Sequence, residues 1–233
     1  MTISSTAPRF GSLFRTLIAA GVAATIAIGG GAAGSAQDSA RSSISAVPVI
    51  NAGGLQIGFV TASEFDGAVT FTLNASNLEP GEHGVHIHET GICDPAGDTV
   101  FGSAGGHFNP TGAMHGPGNA TITPLASEPE EGAATPVAEE PAPASPVAEV
   151  ESHAGDLGNL VVDETGRVSV EITTSSVTLL PGANNSLADA DGSALVIHAH
   201  ADDLHTDPSG ESGDRVACVV LFPPAGSAAT PEA

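Results

Sequence analysis

Eight short runs of apolar and β-branched residues, separated by turn-forming residues and accompanied by no convincing amphipathic helical pattern, are what most restricts the folds open to this chain. Four runs come first: Ala46–Ile50, Leu55–Ala62, Ala68–Asn74 and Gly84–Glu89, broken by Gly53-Gly54, Asp66-Gly67 and Glu79-Pro80-Gly81. Four more follow at Leu157–Asp163, Val168–Thr173, Ala194–Ala199 and Arg215–Phe222, with Glu164-Thr165-Gly166 placed as a hairpin turn. The pattern predicts an all-β domain over residues 46–222, an eight-stranded antiparallel Greek-key β-barrel or sandwich with long loops.

The remaining tracts read differently. Residues 1–36 carry Arg9 and Arg15, no acid, the twelve-residue apolar run Leu17–Ile28 and a small-residue end at Gly34-Ser35-Ala36. That order is expected of a secretory signal peptide, and the run is too short to span a bilayer, which takes about 20 residues. Residues 37–45 read as a linker. Residues 124–151 consist almost wholly of Pro, Ala, Glu, Ser, Thr and Val; such a stretch buries too little apolar surface to offset its chain entropy and is expected to be disordered. A flexible tail is expected over 223–233 for the same reason.

Charge narrows the partners. Asp and Glu total 27 against five Arg and no Lys, a formal net charge of −22, so nucleic acid is not an expected partner, nor is membrane lipid after processing. The two cysteines, Cys93 and Cys218, lie in the body of a chain expected to be exported. They read either as one disulfide, suited to an oxidising compartment, or as two buried thiols.

The nine histidines hold the chemistry. In Val85-His86-Ile87-His88 the two imidazoles share one face of a strand. That arrangement fits a pair of pre-aligned metal ligands, and equally a solvent-facing strand with alternating polar side chains. His107 lies in Gly105-Gly106-His107-Phe108-Asn109-Pro110. His115 and His153 flank the acidic tract, Asp156 follows His153 by three residues, and His198 ends a strand just before Asp202-Asp203. Imidazole suits copper and zinc, and three imidazoles with one carboxylate suit tetrahedral zinc.

The segments Gly84–Asp94, Gly105–His115, His153–Asn159, Leu195–Asp203 and Asp214–Val219 resemble, in the same order, the signature blocks of copper/zinc superoxide dismutases. The resemblance covers Ala46–Leu221 apart from the acidic tract. It implies that copper is held by His86, His88, His107 and His198, and zinc by His107, His115, His153 and Asp156, with His107 bridging. It implies further that Asp202 hydrogen-bonds ligands of both metals, that Arg215 stands beside the open copper position, and that Cys93 and Cys218 tether the metal loop to the last strand. The implied activity is disproportionation of superoxide to dioxygen and hydrogen peroxide, with copper cycling between Cu(II) and Cu(I) and His107 supplying a proton.

His83, His200 and His205 fall outside the implied ligand set and are expected at the surface or in loops. Three features depart from the family pattern: the long tract between His115 and His153, the absence of lysine between His198 and Arg215, and Val219 where many relatives have glycine. A homodimer is a candidate assembly, and the expected location is the periplasm, cell envelope or exterior. The competing reading is a non-enzymatic, extracytoplasmic copper-binding or copper-buffering module on the same fold. Arg215 and a complete second ligand set argue against it, because copper storage needs neither.

Overall fold

The computed structural model describes residues 42–125 and 152–227. The expected leader over 1–36, residues 37–41 of the linker, residues 126–151 of the acidic tract and residues 228–233 of the tail lie outside the described residues. Nine strands are described: β1 (Ser42–Asn51), β2 (Gln56–Phe65), β3 (Ala68–Ala75), β4 (Gly81–His88), β5 (Thr121–Pro124), β6 (Asp156–Val162), β7 (Val168–Thr174), β8 (Ser193–His198) and β9 (Arg215–Phe222). Among the described residues the only helical element is a 3-10 turn at Gly102–Ala104.

All ladders are antiparallel, in the order β5-β7-β3-β2-β1-β9-β8-β4-β6. Strand β6 at one edge approaches both β5 and β7 at the other, so the sheet curls into a nearly closed barrel. The chain crosses from one side of the sheet to the other between β3 and β4 and again between β7 and β8. These crossings put β4 beside β8, which sequence order alone would keep apart.

Local chemistry accounts for the hairpins. Asp66 and Gly67 both take positive φ, 52° and 78°, and join Phe65 to Ala68, the two-residue primed turn that matches strand twist. At the β6–β7 turn one Asp163 carboxylate oxygen accepts from Thr165 N, Thr165 Oγ1 and Arg167 N at 2.7–2.9 Å, fixing the reversal.

The fold departs from the sequence expectation in two places. There are nine strands, not eight, because Thr121–Pro124 pairs with Thr173–Val170 of β7; Pro124, expected inside the disordered tract, ends that strand. The run is too short and too exposed to show alternation, and it becomes a strand only because β7 offers an open edge. Residues 42–45 belong to β1, where Ser42 and Ser43 pair with Glu64 and Ser63, and so are not linker.

The core follows the two-residue repeat. Val69, Phe71 and Leu73 of β3 and Val168, Val170 and Ile172 of β7 alternate inward. Strand β8 is buried throughout, and β4 from His83 onward. Val85, Ile87, Leu195 and Ile197 enter the barrel core, while Ala194 and Val196 join Phe101, Ala104 and Cys218 in a second cluster on the opposite face. By the same parity His86, His88 and His198 leave the barrel on that outer side, beneath the loops that cover it. Cys93 and Cys218 are disulfide-bonded, with Cα atoms 5.7 Å apart, fastening the loop after β4 to the middle of β9.

The Phe71 side chain is fully buried, whereas Val161 is 63% exposed on the same barrel. Phe71→Ala is therefore expected to lower unfolding free energy by about 3–5 kcal/mol, and Val161→Ala to change it by no more than about 0.5 kcal/mol. Chemical denaturation of the two variants checks this.

Candidate metal centre

Strands β4 and β8 lie side by side, with His86 opposite Val196 and His88 opposite Ala194, which brings His198 to the same outer face as the β4 pair. His107 enters from the loop after the 3-10 turn and is tied to β4 by an isolated bridge to His88. The loop chain 112–120 brings in His115, and the turn 153–156 leading into β6 brings in His153 and Asp156. The expected ligands thus fall in two buried groups, His86–His88–His107–His198 and His107–His115–His153–Asp156, with donor atoms within 4.8 Å of one another in each. His107 belongs to both.

Hydrogen bonding decides which nitrogen of each ring is left for the centre. His86 Nε2 donates to Asp202 Oδ2 at 2.6 Å, so Nδ1 is its free atom. His88 Nδ1 donates to Gly105 O at 3.0 Å and His198 Nδ1 to Gly213 O at 3.2 Å, leaving their Nε2 atoms 3.4 Å apart. His115 Nε2 donates to Asp202 Oδ1 at 2.9 Å. The Nδ1 atoms of His107, His115 and His153 then meet Asp156 Oδ1 at 2.8, 3.1 and 3.2 Å. Three buried nitrogens have no hydrogen-bond partner among the described residues: His86 Nδ1, His107 Nε2 and His115 Nδ1. The last lies near Asp156 Oδ1 without the orientation of a hydrogen bond.

Leaving a buried polar atom unpaired costs about 1–3 kcal/mol. Three such atoms converging among imidazoles and a carboxylate are the donor set that copper and zinc take. The residues present therefore fit both metals.

Asp202 connects the two groups through His86 and His115, and its own backbone is clamped to β6. Asn159 Nδ2 donates to Asp202 O at 2.8 Å, and Asp202 N donates to Asn159 Oδ1 at 2.7 Å. Asp203, by contrast, is half-exposed and caps the following turn, accepting from Thr206 N and Thr206 Oγ1. Space beside Asp202 is tight: a Cβ at Gly210, where φ is +63°, would lie 1.7 Å from Asp202 Oδ1. Only glycine fits there.

Arg215 donates to Phe101 O and Gly105 O, each at 2.6 Å. Among the described residues no carboxylate pairs with its guanidinium, so its charge is held by backbone dipoles and left unneutralised. A cavity of about 380 Å³ lined by Thr99, Val100, Gly213 and Asp214 opens beside it.

Sequence reasoning missed two residues. His83, expected at the surface or in a loop, is 2% exposed in β4, with Nδ1 2.7 Å from His198 O and Nε2 2.7 Å from Glu79 O. It braces the backbone of His198 from behind. Asn159 lay within a signature block, yet nothing in its spacing marks it as the clamp on Asp202. His200 and His205 are exposed, as expected of loop residues.

Burial sets the protonation of the cluster. Desolvation first, then the neighbouring His107, His198 and His115, hold His86 well below the ordinary imidazole value, against the opposing charge of Asp156. His88 is lowered in the same way by burial, His107 and Arg215. His198 is lowered to about 4, chiefly by burial. His107 is also lowered, with burial outweighing its bond to Asp156. For Asp156 burial alone would raise the value, but the bonds from His107 and Gly116 leave it lowered. At neutral pH these four rings are neutral and the Asp156 carboxylate ionised, the forms that bind metal.

These shifts imply a pH window for the metal-free protein. Unfolded imidazoles take up protons near pH 6.5, whereas folded His198 does so only near 4, so the unfolded state binds more protons in between. Stability should be complete above about pH 6.5 and fall as pH drops towards 4. Denaturant midpoints across that range check it, and a midpoint rising on acidification contradicts it.

Known proteins resemble this chain in sequence and in fold. The family model described as copper/zinc superoxide dismutase (SODC) matches residues 56–221. "Superoxide dismutase [Cu-Zn] 2" of Aquifex aeolicus is 38% identical over 174 residues, covering 74% of this chain and 83% of that protein. "Superoxide dismutase [Cu-Zn]" of Caulobacter vibrioides is 34% identical over 180 residues, covering 76% and 85%. The crystal structure of a SOD-like protein from Bacillus subtilis is similar at TM-score 0.59 and 33% identity, over 77% of this chain and 99% of that one.

Proposed function

We propose, from a chain that belongs to the copper/zinc superoxide dismutase family, that this protein converts superoxide to dioxygen and hydrogen peroxide at a copper beside a zinc. Copper would be held by His86 Nδ1 and by Nε2 of His88, His107 and His198; zinc would be held by Nδ1 of His107, His115 and His153 and by Asp156 Oδ1. The family uses both metals. Bound copper supplies one-electron exchange with superoxide in both directions, which redox-inert zinc does not.

The protein's part is to orient ligands, attract the anion and handle a proton. Asp202 fixes His86 and His115 at their outer nitrogens, so one carboxylate sets the facing of a ring in each group. Arg215 stands close enough to His88 to depress its protonation and offers superoxide a fixed positive charge in a strongly acidic protein. Charge steering of the substrate is already known for this enzyme family. His107 Nε2 is the atom at which a proton would be held and passed to peroxide, and burial favours its release.

The observation that supports this reading most strongly is the trio of partnerless buried nitrogens, His86 Nδ1, His107 Nε2 and His115 Nδ1, divided between groups that share one ring. The Cys93–Cys218 bond fits an oxidising compartment. Together with the leader-like residues 1–36 it supports export, whether into the periplasm, the envelope or the exterior.

Superoxide consumption by copper- and zinc-loaded protein tests the proposal. His198→Ala should abolish activity and copper binding while zinc is kept; Asp156→Asn should lose zinc and thermal stability with part of the activity kept. Arg215→Glu should slow the reaction by about tenfold or more with both metals bound. Full copper loading without superoxide consumption would favour the copper-buffering reading instead.

A further inference from the structure

We propose that the groove at the open end of the barrel seam is a docking surface for this chain's own residues 126–151, with Pro136-Val137 seated against its apolar wall. None of the proposed metal ligands lines the groove, so its occupancy does not depend on the dismutase reading.

The two edge strands of the sheet, β5 and β6, face one another across the seam, and no ladder joins them among the described residues. Every neighbouring pair is antiparallel and eight steps separate the two edges, so β5 and β6 run in the same direction. The chain leaving the end of β5 must therefore travel back against both strands to reach the start of β6. The seam is shut at that start, where a Cβ on Gly118 would lie 2.0 Å from Asp156 O. At the other end it opens into a cavity of about 700 Å³, with buried Ile57, Val168 and Val170 in its floor and the less buried Ile122, Leu125 and Val161 in its walls.

Chain path and charge name the occupant. Leu125 N donates to Ser169 O at 2.9 Å, one residue beyond β5, so the tract sets out from the lip of the groove. The same register carried on puts Ser127 opposite Arg167, with Glu128 beside it. Arg167 lines the groove, and it and Arg215 are the only Lys or Arg among the described residues. No carboxylate of the described residues lies within ion-pair distance of Arg167. Asp163, the other charged residue of the lining, is engaged by the β6–β7 turn. Residues 126–151 carry seven Glu and no Lys or Arg, the charge that Arg167 lacks.

Gly132 permits the reversal that turns the chain back along the seam, and Val137 is the first large aliphatic side chain after it. Extended, the tract reaches roughly 85 Å, against roughly 17 Å along β6 from Asp156 to Val161, so length does not prevent the seating. The tract holds too little apolar surface for a core of its own. Docking asks less of it, because its five prolines favour an extended backbone in advance. Both ends are tethered to the barrel, at Leu125 and Ser152, which sets an effective concentration at the groove on the order of millimolar. An affinity too weak for a separate peptide then keeps the groove covered.

The test places a photoreactive diazirine amino acid at position 137 of the full-length, copper- and zinc-loaded protein and maps the cross-links by mass spectrometry. Position 137 is far from both tethers, so an undocked tract would react with water or scatter over the barrel. The expected result is cross-links concentrated on residues 122–125, 159–163 and 167–170, formed within one chain when isotopically heavy and light protein are mixed. Scattered or absent cross-links overturn the proposal, and heavy-to-light cross-links overturn it in favour of a second copy as occupant. A second measurement replaces residues 126–151 with a Gly-Ser segment of equal length and follows amide hydrogen exchange. Exchange over 159–162 and 167–170 should be faster in the replaced protein, and equal exchange in both proteins contradicts docking. Neither readout involves superoxide, whose consumption reports on the dismutase reading separately.

Discussion

Each imidazole has two nitrogens, and the site depends on how the fold divides them. In His86, His88, His115 and His198 one nitrogen is tied to a carboxylate or backbone carbonyl, which fixes the ring and aims the other nitrogen inward. His107 is the exception. Its Nδ1 faces Asp156 while its Nε2 has no partner, so it gives a nitrogen to each side. Burial keeps His86, His88, His107 and His198 neutral, which makes them usable as ligands, while His86 Nδ1, His107 Nε2 and His115 Nδ1 are left unsatisfied. The rest of the molecule holds this otherwise unfavourable arrangement in place.

The barrel does so through two adjacent strands. Val85 and Ile87 of β4 and Leu195 and Ile197 of β8 anchor in the core, so the intervening residues must emerge on the opposite side. The disulfide then matters beyond stability. It pins the loop that supplies Phe101 O and Gly105 O, which hold Arg215, and Gly105 O also accepts from His88 Nδ1. A single carbonyl thus joins the guanidinium to a ring of the first His group.

Much of this was legible in the chain. Apolar and β-branched runs marked the longer strands, Asp66-Gly67 marked a break between two of them, Glu164-Thr165-Gly166 marked a hairpin turn, and the resemblance carried by five short blocks named the residues that the fold gathers. What escaped was set by partners distant in sequence. Thr121–Pro124 is a strand because β7 lies open beside it. His83 reads as one more polar residue after a turn, yet two carbonyls from separate segments close over it. Asn159 acts on Asp202, 43 residues away, and only the folded register of β6 reveals it. Spacing shows which side chains share a face, and it is silent about which backbone will come to meet them.

On the proposed function the two groups would hold two different ions about one shared ring. Crystals of the full-length protein loaded with both metals, measured at the copper and zinc absorption edges, test it most directly. Two anomalous peaks are expected: copper among His86, His88, His107 and His198, and zinc among His107, His115, His153 and Asp156, with His107 between them. A single ion, or a metal seated away from His107, would contradict it.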